Sequence, residues 1–168
     1  GHALGVRLHY VREESPLGTA GALNLLRGEL RAPFFMMNGD LVTRLDFRRM
    51  YTYHLTHGAA VTVGTKAHQV QVAYGVIDST ETGQVSAIRE KPAYHMQINA
   101  GIYVIDPATL DLMPPAGRYD ATQLIQAALD MGRPVYSYPI EEYWMDIGRF
   151  EDYDRANADA QAWLAEEL

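Results

Sequence analysis

An α/β layered domain with a mixed sheet is what this sequence predicts, and three observations predict it. Residues 33–37 (PFFMM) form a short continuous apolar run closed by Asn38-Gly39-Asp40, the pattern of a strand buried on both faces, as in a parallel sheet covered by helices. Segments with apolar residues at helical spacing alternate with such strands along the chain. Two short strand patterns, 73–78 and 85–89, flank a hairpin-length turn ending in Gly83, and this inserts an antiparallel unit.

Taken in order, Val6, Leu8 and Tyr10 alternate and predict a first strand, the polar stretch 12–16 ends it, and 18–27 reads as a helix. After the buried run, Asp46 is placed to cap a helix carrying Phe47, Met50, Tyr51 and Leu55 at helical spacing, with Gly58 as its stop. Residues 60–65 predict the next strand and 98–105 another. Asp120 then caps 121–131, whose Leu124, Ile125, Ala128 and Leu129 make one stripe ending at Gly132. Residues 135–140 predict a last strand, and from Phe150 a closing helix puts Tyr153, Ala156, Ala160, Trp163 and Leu164 on one face.

Composition supports one globular domain over residues 1–168: 48% hydrophobic and 21% charged residues, with 14 Gly and 8 Pro, exclude disordered, collagenous and coiled-coil chains. The absence of cysteine excludes disulfides, thiolate metal sites and a cysteine nucleophile. No run of 18 apolar residues and no basic-then-apolar start is present, so neither membrane span nor secretory signal is expected, and the cytoplasm is the expected location. The charge of −7 sits in the tail: residues 141–168 hold 9 acids against Arg149 and Arg155, a pattern that reads as a solvated helix face. With Lys66 and Lys91 the only lysines, no basic patch tracks phosphates, and nucleic acid is not an expected partner.

Five segments carry chemistry-bearing residue types, and each has a plain structural alternative. In Pro16-Leu17-Gly18-Thr19-Ala20-Gly21 the glycines permit either a tight entry into a helix or the close approach of a flat ligand to the backbone. Asp40 can hold its own turn, or it can meet a ligand, since open α/β sheets bind ligands beyond the carboxyl ends of their strands. Tyr74-Gly75-Val76 precedes the hairpin. Glu90-Lys91-Pro92, followed by Asn99-Ala100-Gly101, is either a surface turn or a cation for phosphate beside an acceptor of hydroxyls. In Trp144-Met145-Asp146-Ile147-Gly148 the acid can serve its loop or converge with Asp40 on one hard divalent cation such as Mg²⁺. His54 and His57, three apart, fit an exposed helix face better than a metal site.

The segments in sequence are more specific than any one of them. PLGTAGAL, FFMMNGD, AYGVID, IREKP, INAGIYVID and YWMDIGRFEDYDRAN, read in that order from about Gly5 to Asn157, resemble the nucleotidyltransferases that join a sugar 1-phosphate to a nucleoside triphosphate and release pyrophosphate. The resemblance is greatest to the mannose-1-phosphate guanylyltransferase-like and glucose-1-phosphate nucleotidyltransferase-like branch. It implies a Rossmann-like three-layer α/β/α nucleotide-diphospho-sugar transferase fold with a mixed sheet. It also implies that Gly18 and Thr19 form a backbone clamp near the nucleobase, that Tyr74 and Gly75 lie against the sugar, and that Glu90 and Asn99 bind its hydroxyls. Lys91 would hold the sugar's phosphate, and Asp40 and Asp146 would share a magnesium ion beside the phosphates. In-line attack by a phosphate oxygen on the α-phosphorus needs positioning, charge neutralisation and a metal, and no protein nucleophile.

Such enzymes open with a glycine-rich G-x-G-T-R-L-x-P loop and a P-K-P segment, neither of which occurs here, and Gly64-Thr65-Lys66 lies inside a strand pattern. The expectation is therefore a chain carrying the C-terminal two-thirds of the domain, with the N-terminal βαβ portion absent and no turnover by itself. Residues 34–37 would then form an exposed sheet edge open to another segment or another copy of the chain. The alternatives are a non-catalytic module that binds a sugar phosphate or a partner, and a nucleotide-sugar-dependent glycosyltransferase. The latter would carry Asp-x-Asp where this chain has Asn38-Gly39-Asp40.

Overall fold

The structure, a computed structural model, describes residues 1–166 and every side chain within them except those of Leu4 and 164–166. Leu164, expected on the stripe of the closing helix, lies outside those side chains. The elements in chain order are α1 (Leu23–Leu26), β1 (Phe34–Met37), β2 (Leu41–Thr43), α2 (Phe47–His57), β3 (Val61–Gln71), β4 (Val76–Ser79), β5 (Val85–Arg89), β6 (Ala93–Ile105), α3 (Ala121–Asp130), β7 (Val135–Pro139), β8 (Trp144–Asp146) and α4 (Phe150–Glu166).

Four strands make the central sheet in the order β1-β6-β3-β7. β6 runs antiparallel to both β1 and β3, whereas β3 and β7 are parallel, so the sheet is mixed as the sequence predicts. Because side chains alternate along a strand, β6 feeds two cores. Tyr103 and Ile105 pack with Leu23, Leu110, Leu124 and Ala128 on one face, and Ile102 and Val104 pack with Leu45, Met50, Tyr138 and Ile140 on the other. Helices α1 and α3 cover the first face and α2 the second, which makes the three layers. Burying a leucine such as Leu124 in this way contributes about 1.5–3 kcal/mol. Asp46 caps α2 by accepting from Arg49 N at 3.0 Å, and Gly58 ends it in a left-handed conformation, as expected.

Beyond this core β3 and β6 continue as a two-stranded arm, pairing Lys66 with Ile98 through to Gln71 with Ala93. Both strands are longer than the patterns 60–65 and 98–105 because the arm is exposed and its polar residues carry no apolar period. β4 and β5 form the expected antiparallel hairpin beside it, tied by Arg89 to Asp78 at 3.0 Å.

Several expectations are corrected. Residues 6–10 form no strand: Val6, Leu8 and Tyr10 are 50%, 53% and 87% exposed. Alternation encodes sidedness, but a strand also needs a ladder partner, and none pairs with this segment among the described residues. The helix expected over 18–27 shrinks to α1, because 17–20 are instead tied to 119 through Tyr119 N to Leu17 O (2.8 Å) and Ala20 N to Tyr119 O (2.9 Å). β1 is not flanked by parallel neighbours; it pairs antiparallel with β6 alone, and its side chains are half-buried, Met37 being 39% exposed. Among the described residues its outer edge meets no strand.

His54 is not on an exposed face either. It is 1% exposed, with Nδ1 at 2.9 Å from Thr62 Oγ1, while His57 stays at the surface. Burial lowers its pKa below 6.5, partly opposed by the charge of Asp106. Between that lowered value and 6.5 the unfolded chain binds more protons than the folded one, so this contribution to stability is complete above pH 6.5 and is lost as pH falls below it. Thermal melts should show Tm declining through this window less steeply in His54→Asn than in the parent chain; equal slopes would contradict the assignment.

Candidate functional site

The carboxyl end of β1 opens onto a cleft of about 500 Å³ lined by Thr19, Met37, Asn38, Gly39 and Asp40. Directly after the turn, β2 pairs antiparallel with β8, Leu41 opposite Asp146, Val42 opposite Met145 and Thr43 opposite Trp144. This ladder places Asp146 opposite Leu41, the residue after Asp40, and Ile147 N donates to Asp40 O at 2.9 Å. Gly148 N donates to Asp146 Oδ1 at 2.9 Å, which leaves the other carboxylate oxygen available. The ribbon is fastened to the main sheet by the Trp144 indole N–H, which donates to Ala100 O at 2.9 Å, and to its own base by Thr43 Oγ1 on Tyr143 O at 2.8 Å.

Among the described residues the Asp40 carboxylate makes no hydrogen bond or ion pair, and no group of three or more His, Asp or Glu is arranged to hold a metal. The exposed Asp40 carboxylate at the open cleft is a hard oxygen donor of the kind Mg²⁺ takes, since that ion keeps most of its waters and binds one or two carboxylates plus substrate phosphate.

Gly101 joins this turn to β6. Asn38 N donates to Gly101 O at 3.0 Å, and with φ at +70° a Cβ on Gly101 would come 2.7 Å from Asn38 Nδ2. Asn99 fixes the same corner, accepting from Gly101 N at 3.0 Å and donating to the Tyr103 hydroxyl at 2.8 Å. One amide proton and one lone pair of Asn99 remain for a ligand.

The Gly18 loop is shaped by the N-terminus of α3. Thr19 N donates to Asp120 Oδ1 at 3.0 Å, and Ala121 N donates to Thr19 Oγ1 at 2.8 Å. Asp120 is thus more than the cap its position suggests, because its carboxylate anchors a loop 101 residues away. Gly18 has φ +81°, and a Cβ there would lie 2.5 Å from Asp120 Oδ1 and 2.8 Å from Tyr119 O. Gly18→Ala should therefore cost about 2–3 kcal/mol through left-handed strain and a displaced carboxylate, read as a lowered urea midpoint. A midpoint unchanged from the parent would show that the loop repacks freely.

The remaining sequence-derived residues gather at the arm. A Cβ on Gly75 would lie 3.0 Å from Glu90 Oε2, so the Tyr74-Gly75 and Glu90-Lys91 segments are neighbours, with Tyr74 78% exposed. Thr19 and Asp40 thus line the cleft, with Asp146 on β8 opposite Leu41, and Gly75 meets Glu90 at the arm, where Lys91 follows in sequence. β6 connects them, starting just after Pro92 and carrying Asn99 and Gly101 toward Asn38.

Lys66 is a residue whose role the strand pattern does not disclose. Its ammonium donates to the carbonyls of Ile140 (3.0 Å), Glu141 (3.3 Å) and Glu142 (2.8 Å), using all three donors to wrap the segment that leads into β8. On the far side of that segment Tyr143 donates to Asp159 Oδ2 at 2.8 Å and meets the Trp163 ring edge-on, which docks α4. Burial first, then the bond to Asp159 and its charge, push the Tyr143 pKa up to about 12.

Comparison with known proteins now adds to this geometry. Residues 1–162 match the nucleotidyl transferase family model. Over 155 residues the chain is 32% identical to a mannose-1-phosphate guanylyltransferase catalytic subunit beta of Dictyostelium discoideum, covering 89% of this chain and 43% of that protein. A mannose-1-phosphate guanylyltransferase of Mycobacterium tuberculosis is 34% identical over 170 residues, covering 98% of this chain and 47% of its own length. The chain spans about half the length of the curated relatives it matches. Among solved structures, a putative glucose-1-phosphate thymidylyltransferase from Bacillus anthracis in complex with sucrose superposes with a TM-score of 0.69 at 23% identity, over 95% of this chain and 67% of that one. That likeness establishes the Rossmann-like fold.

Proposed function

The chain belongs to the nucleotidyl transferase family, and from that premise we propose that it supplies the acceptor and metal side of a sugar-1-phosphate nucleotidyltransferase. The observation that carries this reading is the β2–β8 ladder, which pairs Asp146 with Leu41, the residue after Asp40 on the turn that lines the cleft at the end of β1. Mg²⁺ bound there would neutralise charge on the reacting phosphates. Lys91 meets the phosphate of the sugar, Glu90 and Asn99 take its hydroxyls, and Tyr74 and Gly75 lie along its ring. The backbone at Gly18 and Thr19, held by Asp120, faces the nucleobase.

A phosphate oxygen of the sugar 1-phosphate forms the new bond to the α-phosphorus of the triphosphate. The bond between that phosphorus and the bridging oxygen breaks, and pyrophosphate leaves with the electron pair. The protein supplies position and charge, and none of its side chains forms a covalent bond. Residues 1–168 are assigned no cradle for the triphosphate itself. The outer edge of β1, apolar on both faces, is the surface through which we expect a second copy to associate. No helix among the described residues is long and apolar enough to cross a membrane, and we place the reaction in the cytoplasm.

The test is pyrophosphate release by the native polypeptide given mannose 1-phosphate or glucose 1-phosphate with each of GTP, UTP, dTTP and CTP. Release that requires both substrates and a divalent cation is expected. Release that ignores the sugar 1-phosphate, or sugar transfer from a nucleotide sugar instead, would overturn the reading.

A further inference from the structure

Lys91 has φ +43°, and it is the one non-glycine residue with a positive φ among those described. That region is disfavoured for any residue with a Cβ. The position is doubly unusual because Pro92 follows, and proline pushes its predecessor toward extended backbone. Left alone, Lys91 would relax to an extended conformation and swing its side chain away from its present direction. A strained backbone persists only where its surroundings over-determine it.

Two contacts do so here, both from the end of the arm. The side-chain amide of Gln71 donates through Nε2 to the Lys91 carbonyl, and the next residue, Val72, donates its N–H to the Pro92 carbonyl at 3.0 Å. Gln71 is itself fixed by pairing with Ala93 at the last rung of the β3–β6 ladder. We propose that Gln71 is a positioning residue: it latches Lys91 in the left-handed conformation from which the side chain meets the phosphate of the acceptor. The inference rests on the role given to Lys91 above. Its consequence is specific, since losing the latch harms acceptor binding through Lys91 and through nothing else.

The sequence makes the test clean, because Lys66 and Lys91 are the only lysines. Selective ¹³C-lysine labelling therefore gives residues 1–168 two backbone signals, with Lys66 as an internal control. Gln71→Met, which keeps length and removes the donor, should move the Lys91 Cα resonance toward extended values while leaving that of Lys66 in place. Gln71 is exposed, so the variant should fold normally. A Lys91 signal that does not move overturns the latch.

The second arm is a calorimetric double-mutant cycle with mannose 1-phosphate and glucose 1-phosphate as probes. Gln71→Met should weaken binding about 3- to 10-fold, the scale of one net hydrogen bond, and should change nothing further in a Lys91→Ala background. Equal weakening in both backgrounds, or none while Lys91→Ala itself weakens binding, overturns the latch and leaves the role of Lys91 standing. If Lys91→Ala binds as well as the parent, the reading of Lys91 fails, and with it the purpose of the latch.

Discussion

In the native polypeptide, Asp40→Asn should lower pyrophosphate release about 10²–10³-fold, the scale observed when one preorganised electrostatic contact to a reacting group is removed. The substitution keeps shape and removes the charge, and Asp40 is exposed at the rim of the cleft. Its carboxylate has no protein partner to lose among the described residues, so Tm should stay within about 2 °C of the parent, as for a surface substitution. The loss should be partly relieved at high Mg²⁺, because a weakened metal site is refilled by mass action. Near-normal turnover at limiting Mg²⁺ would show that Asp40 serves only its own turn.

Lys91→Ala should raise the KM for the sugar 1-phosphate about 10- to 100-fold, matching the roughly 1.5–3 kcal/mol of a hydrogen bond to a charged group. The KM for the nucleoside triphosphate should change little, since Lys91 sits with Gly75 and Glu90 on the arm and not at the Gly18 loop. Lys91→Arg should restore little of the loss, because a planar guanidinium fork places its charge differently from a compact ammonium. Steady-state kinetics with each substrate varied in turn separates these outcomes. Equal increases in both KM values would make Lys91 a general contributor to the site and not an acceptor contact.

What the sequence discloses follows from which signals are local. The caps of α2, the stripe of α3 through Leu124 and Ala128, and the apolar run of β1 are local patterns that appear where the periodicity puts them, although Leu129, expected on that stripe, is 50% exposed. β2 and β8 are three residues long, too short to show a period, and their pairing joins positions about a hundred residues apart. Yet that pairing is what brings the turn carrying Asp40 to the strand carrying Asp146. Residues 6–10 fail in the opposite sense, having the pattern of a strand and no ladder to join. His54 was legible as helical but not as buried, because its partner Thr62 lies on the following strand. The ordered motifs of the family resemblance are what single out the residues proposed for the site. The loop anchoring by Asp120 and the roles of Lys66 and Gln71 escape both kinds of reading, since each acts on the backbone of a remote segment. Their side-chain types carry no signal until the fold supplies the partner.

The proposed function requires Asp40 and Asp146 to form one metal site. Water-proton relaxation of Mn²⁺ bound to the chain, with Asp40→Asn, Asp146→Asn and the double variant alongside the parent, tests this most directly. The prediction is that each single substitution removes the relaxation enhancement nearly completely and that the double variant is no worse than either. Enhancement that survives both single substitutions, or losses that simply add, would mean that the two carboxylates do not share an ion, and the ladder between β2 and β8 would then position nothing for the reaction.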